Sequence, residues 1–160
     1  MALADLSSLL WRQRELLELL VFKLEEEQMM LASGRSKWLA HATREVEAVL
    51  DQIRRTEVLR AAEADAVARE LGLAPNPSLA DLAAAAPEPW ASLLRDHRQA
   101  FLALTTEITT LAQANKDLLT AGQRAVRESL MLATGAVETY GPTGASRATA
   151  PAPRLLDEAI

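Results

Sequence analysis

His41 and His97 are the only imidazoles in this chain, and it holds no cysteine. A di-metal site in a helical bundle draws on Glu-x-x-His pairs that face inward. Trp38 and Leu94 stand three residues before the two histidines, so that pairing is missing. Two lone imidazoles also fall short of the three or four ligands that a zinc site needs. Nucleophilic catalysis has no thiol and no Gly-x-Ser-x-Gly turn, and no Gly-rich loop precedes a helix to cradle phosphate. Glu25, Glu26 and Glu27 form a carboxylate run that reads as a solvated helix face. His97 falls on an apolar seam and reads as a partly buried structural residue. These residue types predict no enzyme, no cofactor and no metal, and they leave binding as the class of function.

The residues suited to binding lie late in the chain. Gln113, Asn115, Leu118, Leu119 and Gln123 read Q-x-N-x-x-L-L-x-x-x-Q. Asparagine at a seam position costs stability but fixes register or partner choice. Gly122 in mid-helix costs about 1 kcal/mol relative to alanine and leaves room for another backbone. Leu119, Val126 and Leu130 form an apolar edge at i, i+7 and i+11. That edge either closes the end of a self-packed bundle or forms a groove for an amphipathic partner segment. Further on, Tyr140, Gly141, Pro142 and Gly144 make a compact turn. A lone tyrosine there is either an incidental surface aromatic or an anchor that fills a pocket on another protein.

The elements that must position these residues are helices. Alanine and leucine supply 59 of 160 residues, against 6 glycines, 7 prolines and 4% aromatics. Both lose little entropy in a helix, and few β-branched or aromatic residues remain to build a sheet. The fold class is all-α. A first helix is expected over Asp5–Ala32, with Leu3, Leu10, Leu17, Leu24 and Leu31 in one heptad row. Leu6 and Leu20 fill the other row, interrupted by Gln13 and Glu27. Leu9 and Leu16 widen this seam, as befits a helix with more than one neighbour. Leu19, Phe22 and Met29 lie off it, facing another helix of this chain or a separate protein. Ser33 and Gly34 end the helix.

A second helix is expected over Lys37–Leu71, capped by Ser36 and ended by Gly72. Its stripe of Leu39, Ala42, Val46, Val49, Leu50 and Ile53 is expected to shift after Arg54 to Val58, Leu59, Ala62, Ala66 and Val67. Four prolines between Leu73 and Pro89 bar a continuous helix. Within that connector, Ser78 and Asp81 cap a short helix through Ala86. A third long helix is expected over Trp90–Ala133. One row holds Leu94, Phe101 and Ile108 and then Asn115, Gly122 and Ser129; the other holds His97, Leu104, Leu111, Leu118, Ala125 and Leu132. At 1.5 Å per residue it reaches ~65 Å, beyond the ~40 Å and ~50 Å of its neighbours. The expected architecture is an elongated up-down bundle of three long helices with a short connector helix. Residues 1–133 form the helical domain. Residues 134–160 form a tail too poor in apolar residues to offset its ordering entropy, and so flexible when alone.

The net charge is −5 and neither half hides a basic block, which disfavours nucleic acid and acidic membrane surfaces as partners. No run of about 18 uncharged apolar residues predicts membrane insertion. The N-terminal stretch lacks the basic region of a secretory leader.

In its helical plan, in Asn115-x-x-Leu118-Leu119 with Gln123 a turn later, and in Tyr140-Gly141-x-x-Gly144, the chain resembles the flagellar export chaperones of the FlgN family. The resemblance implies a cytoplasmic chaperone for type III flagellar export. Its clients would be hook-associated proteins one and three, from the hook–filament junction, bound by their C-terminal helical region and kept from premature assembly. It implies a client surface of Leu118, Leu119, Val126 and Leu130, with Asn115 and Gln123 nearby. Tyr140, with Gly141 and Gly144, would dock the loaded chaperone on the cytoplasmic domain of the export gate. The alternative is a self-assembling structural coiled coil, supported by the leucine row of the first helix, and a homodimer fits either reading. A secreted hairpin of the WxG class fits less well, because Ala40 stands where that motif needs glycine.

Overall fold

A computed structural model describes residues 2–35 and 37–134, of whose last two residues only the backbone is described. The described chain is all-helical: α1 (Ala2–Ala32), α2 (Leu39–Leu71), α3 (Leu79–Ala85) and α4 (Trp90–Thr134). α1 starts earlier than expected because Leu3 and Leu6 are already buried and hold the first turn against the core. It ends at Gly34, whose φ of 68° is the left-handed conformation that favours glycine. α2 starts two residues later than expected, preceded by Trp38, which gives no side-chain cap. Ser36, the expected cap, lies outside the described residues.

The far end of α2 closes as expected. Gly72, at φ 70°, donates its N–H to Arg69, and the Leu73 N–H reaches back to Ala68 O at 2.8 Å. This pair of bonds satisfies the last carbonyls of the helix, and Leu73 packs on the core behind it. In the connector, Ser78 Oγ accepts from the Asp81 N–H at 3.1 Å while the Asp81 carboxylate accepts from the Ser78 N–H at 3.0 Å. Those backbone and hydroxyl bonds from Ser78 hold the Asp81 carboxyl below the usual carboxylate range. Glu88 opens α4 in the same way. It accepts from the Ser92 N–H and hydroxyl and from Arg95, and the Ser92 hydroxyl above all lowers its pKa.

α1 is the central rod. It packs along both α2 and α4, while α3 sits on α4 and touches α2 lightly. Contacts between Lys23 and Glu45 and between Gln13 and Glu57 run α2 antiparallel to α1. Contacts of Trp11 with His97 and of Leu24 with Asn115 run α4 parallel to it. The core holds Leu3, Leu6, Leu10, Leu16, Leu17, Leu20 and Leu24 of α1, facing Val46, Val49, Ile53 and Val67 of α2 and Leu94, Phe101 and Ile108 of α4. Each fully buried leucine contributes about 2 kcal/mol before ordering costs.

The expected shift of the α2 seam does not occur. Val58 and Leu59 are exposed, and the buried stripe runs on unbroken through Thr56, Arg60 and Ala64 to Val67. Polar residues occupy the middle of this seam because they are paired. Gln13 Nε2 of α1 donates to Glu57 Oε2 at 3.3 Å, and Arg60 Nε donates to the same oxygen at 2.9 Å. The second arm of the Arg60 guanidinium meets Glu57 Oε1. The interruption at Gln13 is therefore a buried link between two helices rather than a gap in the packing.

Candidate functional site

α4 changes its surroundings at Asn115. Below that level its core positions, Leu94, His97, Phe101 and Ile108, are buried; above it, every residue from Lys116 to Leu132 is exposed. The apolar pattern nevertheless continues. Leu119 stands five turns beyond Phe101, and Val126 five turns beyond Ile108. Both therefore lie on the face that meets α1 lower down. Leu119 is 44% exposed, and Val126 and Leu130 are each 61% exposed. Leu118 borders this strip and Gln123 lies beside it, also exposed. A Cβ built on Gly122 would meet nothing within 4 Å, so the space above that glycine is open and is not filled by another backbone of this chain. The result is an uncovered apolar face from Leu118 to Leu130, about 18 Å long.

Asn115 lies at the base of the strip rather than on it. It is buried, and its Nδ2 donates to Leu24 O at 2.9 Å and to Glu27 Oε1 at 3.0 Å. Thr43 Oγ1 of α2 donates to the other Glu27 oxygen at 3.0 Å. One polar clasp thus ties α1, α2 and α4 together where the shared core ends. Its seam position was legible in the heptads, but its partners were not, because Glu27 and Thr43 are distant in sequence. Lys23 adds a second link across the hairpin, bonding Glu45 at 2.7 Å and Glu26 at 3.0 Å. Those carboxylates, Glu45 first, raise the Lys23 pKa, and Lys23 lowers that of Glu45.

The histidines stay apart. His41 is exposed and pairs with Glu45 at 2.9 Å. His97 is fully buried, more deeply than the sequence suggests, with Trp11 edge-on at 4.7 Å and Phe101 stacked at 6.1 Å. Neither ring nitrogen of His97 has a partner. Burial, and then the nearby Arg14 cation, push its pKa down and keep it neutral. A shallow cavity of about 540 Å³ beside it is lined by Trp11, Arg14, Leu93, Asp96, Gln99 and Ala100. Among the described residues no three acidic or imidazole groups are placed to share a metal ion.

Tyr140, Gly141 and Gly144, expected to form the docking turn, lie outside the described residues, as does the apolar end at Leu155, Leu156 and Ile160. Among the described residues no helix is long and apolar enough to cross a membrane.

A family model described as FlgN protein matches residues 1–148, which takes in all four helices and the Tyr-Gly-x-x-Gly segment. No significant match was found among curated proteins or solved structures.

Proposed function

Because this chain belongs to the FlgN family of flagellar export chaperones, we propose that it binds the C-terminal helical region of hook-associated proteins one and three in the cytoplasm and delivers them to the export gate. The observation that carries this reading is the core-facing stripe of α4 running on, uncovered, past Asn115. A client helix laid along Leu118, Leu119, Val126 and Leu130 buries apolar area worth about 25 cal/mol per Å² before ordering costs. It completes the seam in the way that α1 completes it below, with Gln123 free to bond the client backbone and Asn115 fixing the angle at which α4 leaves the bundle. Sequestering that client region keeps the junction proteins from premature assembly. No nucleotide is required, because a competing partner at the gate can release the client. Tyr140, with Gly141 and Gly144, is the proposed gate contact; a tail that follows α4, the helix carrying the proposed client strip, can couple docking to loading.

The test is titration calorimetry of the full chain against each purified hook-associated protein. Replacing Leu119→Ser together with Val126→Ser is expected to weaken client binding at least tenfold with an unchanged melting temperature. Equal affinity of the variant and the parent chain would refute the client surface. The self-assembling coiled coil loses its main support, since Leu3, Leu10, Leu17 and Leu24 are consumed inside the chain's own core. Sedimentation showing a tight oligomer that takes up no junction protein would restore it.

A further inference from the structure

The uncovered strip of α4 has two unlike edges. Lys116 and Gln123 stand one heptad apart, and Arg127 one turn beyond Gln123, so these three share one edge. Leu118, Ala125 and Leu132, also at heptad spacing, share the other. Asp117, Arg124 and Glu128 fall together on the back of the helix, turned away from the strip. One edge is therefore cationic and the other apolar. Lys116 and Arg127 are exposed, and among the described residues no ion pair involves any residue beyond Asn115. The carboxylates near the base of the strip are engaged. Asn115 and Thr43 hold the two oxygens of Glu27, and Asp117 accepts from Gln113 at 2.9 Å.

Those two cations select the occupant. A second copy packed antiparallel on the strip sets like edge against like edge, so Lys116 and Arg127 meet the same two cations. Packed parallel, it sets them against Leu118, Ala125 and Leu132, which carry no charge to answer them. We propose that the strip takes an amphipathic helix of a second protein that is acidic along one side of its apolar stripe. Its glutamates or aspartates, three turns apart, match the distance of about 16 Å along the axis from Lys116 to Arg127. A helix edged with lysines is repelled at the same two points. This selectivity rests on the client role proposed for the strip, and it supplies the chemistry by which a client helix is chosen.

The experiment uses the full-length chain and two synthetic helical peptides with the same leucine stripe, one edged with glutamates and one with lysines. Titration calorimetry measures affinity, and backbone amide shifts locate the contact. The glutamate-edged peptide is expected to bind at least tenfold more tightly in about 50 mM salt, to lose most of that advantage in about 500 mM salt, and to shift α4 amides from Leu118 to Leu130. Lys116→Glu with Arg127→Glu is expected to invert the preference, whereas Arg124→Glu, on the back of the helix, leaves it within twofold. Leu119→Ser with Val126→Ser is expected to weaken both peptides alike. Equal binding of the two peptides by the parent chain, with shifts in α4, overturns the charge selection and leaves the client strip standing; it needs no variant to fold. Binding of neither peptide, or shifts confined to another helix, overturns both. Sedimentation showing a dimer that Leu119→Ser with Val126→Ser relieves overturns the proposal as well, since the occupant is then a second copy.

Discussion

At the scale of single residues, the polar groups inside the bundle set most of what can be tested. His97 sits between Trp11 and Phe101 with no partner for either nitrogen, so its environment accepts only the neutral ring. Its pKa is lowered in the folded chain, by burial first. The unfolded chain takes up a proton near pH 6.5 that the folded chain refuses, so stability is unaffected above that pH and falls as the pH drops below it. His97→Phe removes this penalty and the unpartnered nitrogens together. The variant should match or exceed the parent's stability at pH 7.5, and its advantage in melting temperature should widen at pH 5.5; a constant difference would contradict the assignment. Asn115→Ala takes the opposite direction. It strips the donor from Leu24 O and Glu27 and should cost about 1–2 kcal/mol in urea unfolding. The sequence placed both residues on the seam, because heptad position is a local property. It did not show that one is partnered and the other is not, since that depends on α1 side chains some ninety positions away.

At the scale of elements, the helices were legible nearly to their ends wherever glycine or a capping pair marks a boundary. Gly34, Gly72 and Ser78–Asp81 each stop or start a helix as their chemistry dictates. The α2 seam was misjudged for a physical reason. Apolarity pointed to Val58 and Leu59, but Arg60 and Thr56 are the buried residues, made tolerable by Glu57, Gln13 and a backbone carbonyl. Periodicity reads hydrophobicity and is blind to a charge neutralised by its neighbour. The same reasoning bears on α4. Up to Asn115 this helix is held by packing; beyond it, only intrinsic propensity holds the backbone, and an isolated helix of that length is marginal in water. Amides from Leu118 to Leu130 should therefore exchange with solvent at least tenfold faster than those from Leu94 to Ile108, and client binding should slow them. Uniform protection along α4 would mean that something else covers the strip.

At the scale of the whole molecule, three tasks fall on separate stretches of one chain. The hairpin of α1 and α2 supplies the rigid support, α4 carries the core beyond the hairpin as an open face, and the tail follows after Thr134. Composition pointed to the all-helical class, and the helical plan with two short motifs pointed to the family that the match over residues 1–148 shows, because all of these are written in contiguous residues. The end of the shared core was not legible, since it depends on how α1 and α4 sit together in space around Asn115 and not on any residue in α4 alone. This order along the chain makes the proposed client and gate functions separable. Every residue of the client strip lies before Thr134, and its helix is anchored from below by α1 and α3. Ending the chain at Thr134, or replacing Tyr140→Ala in the full chain, should leave affinity for the hook-associated proteins within twofold. Either change should lower affinity of the loaded chaperone for the cytoplasmic domain of the export gate at least tenfold, as loss of a buried aromatic anchor does. Calorimetry with each partner in turn measures both quantities. Were Tyr140→Ala to abolish client binding while gate affinity stayed intact, the tail rather than α4 would be the client surface, and the division of labour along the chain would have to be redrawn.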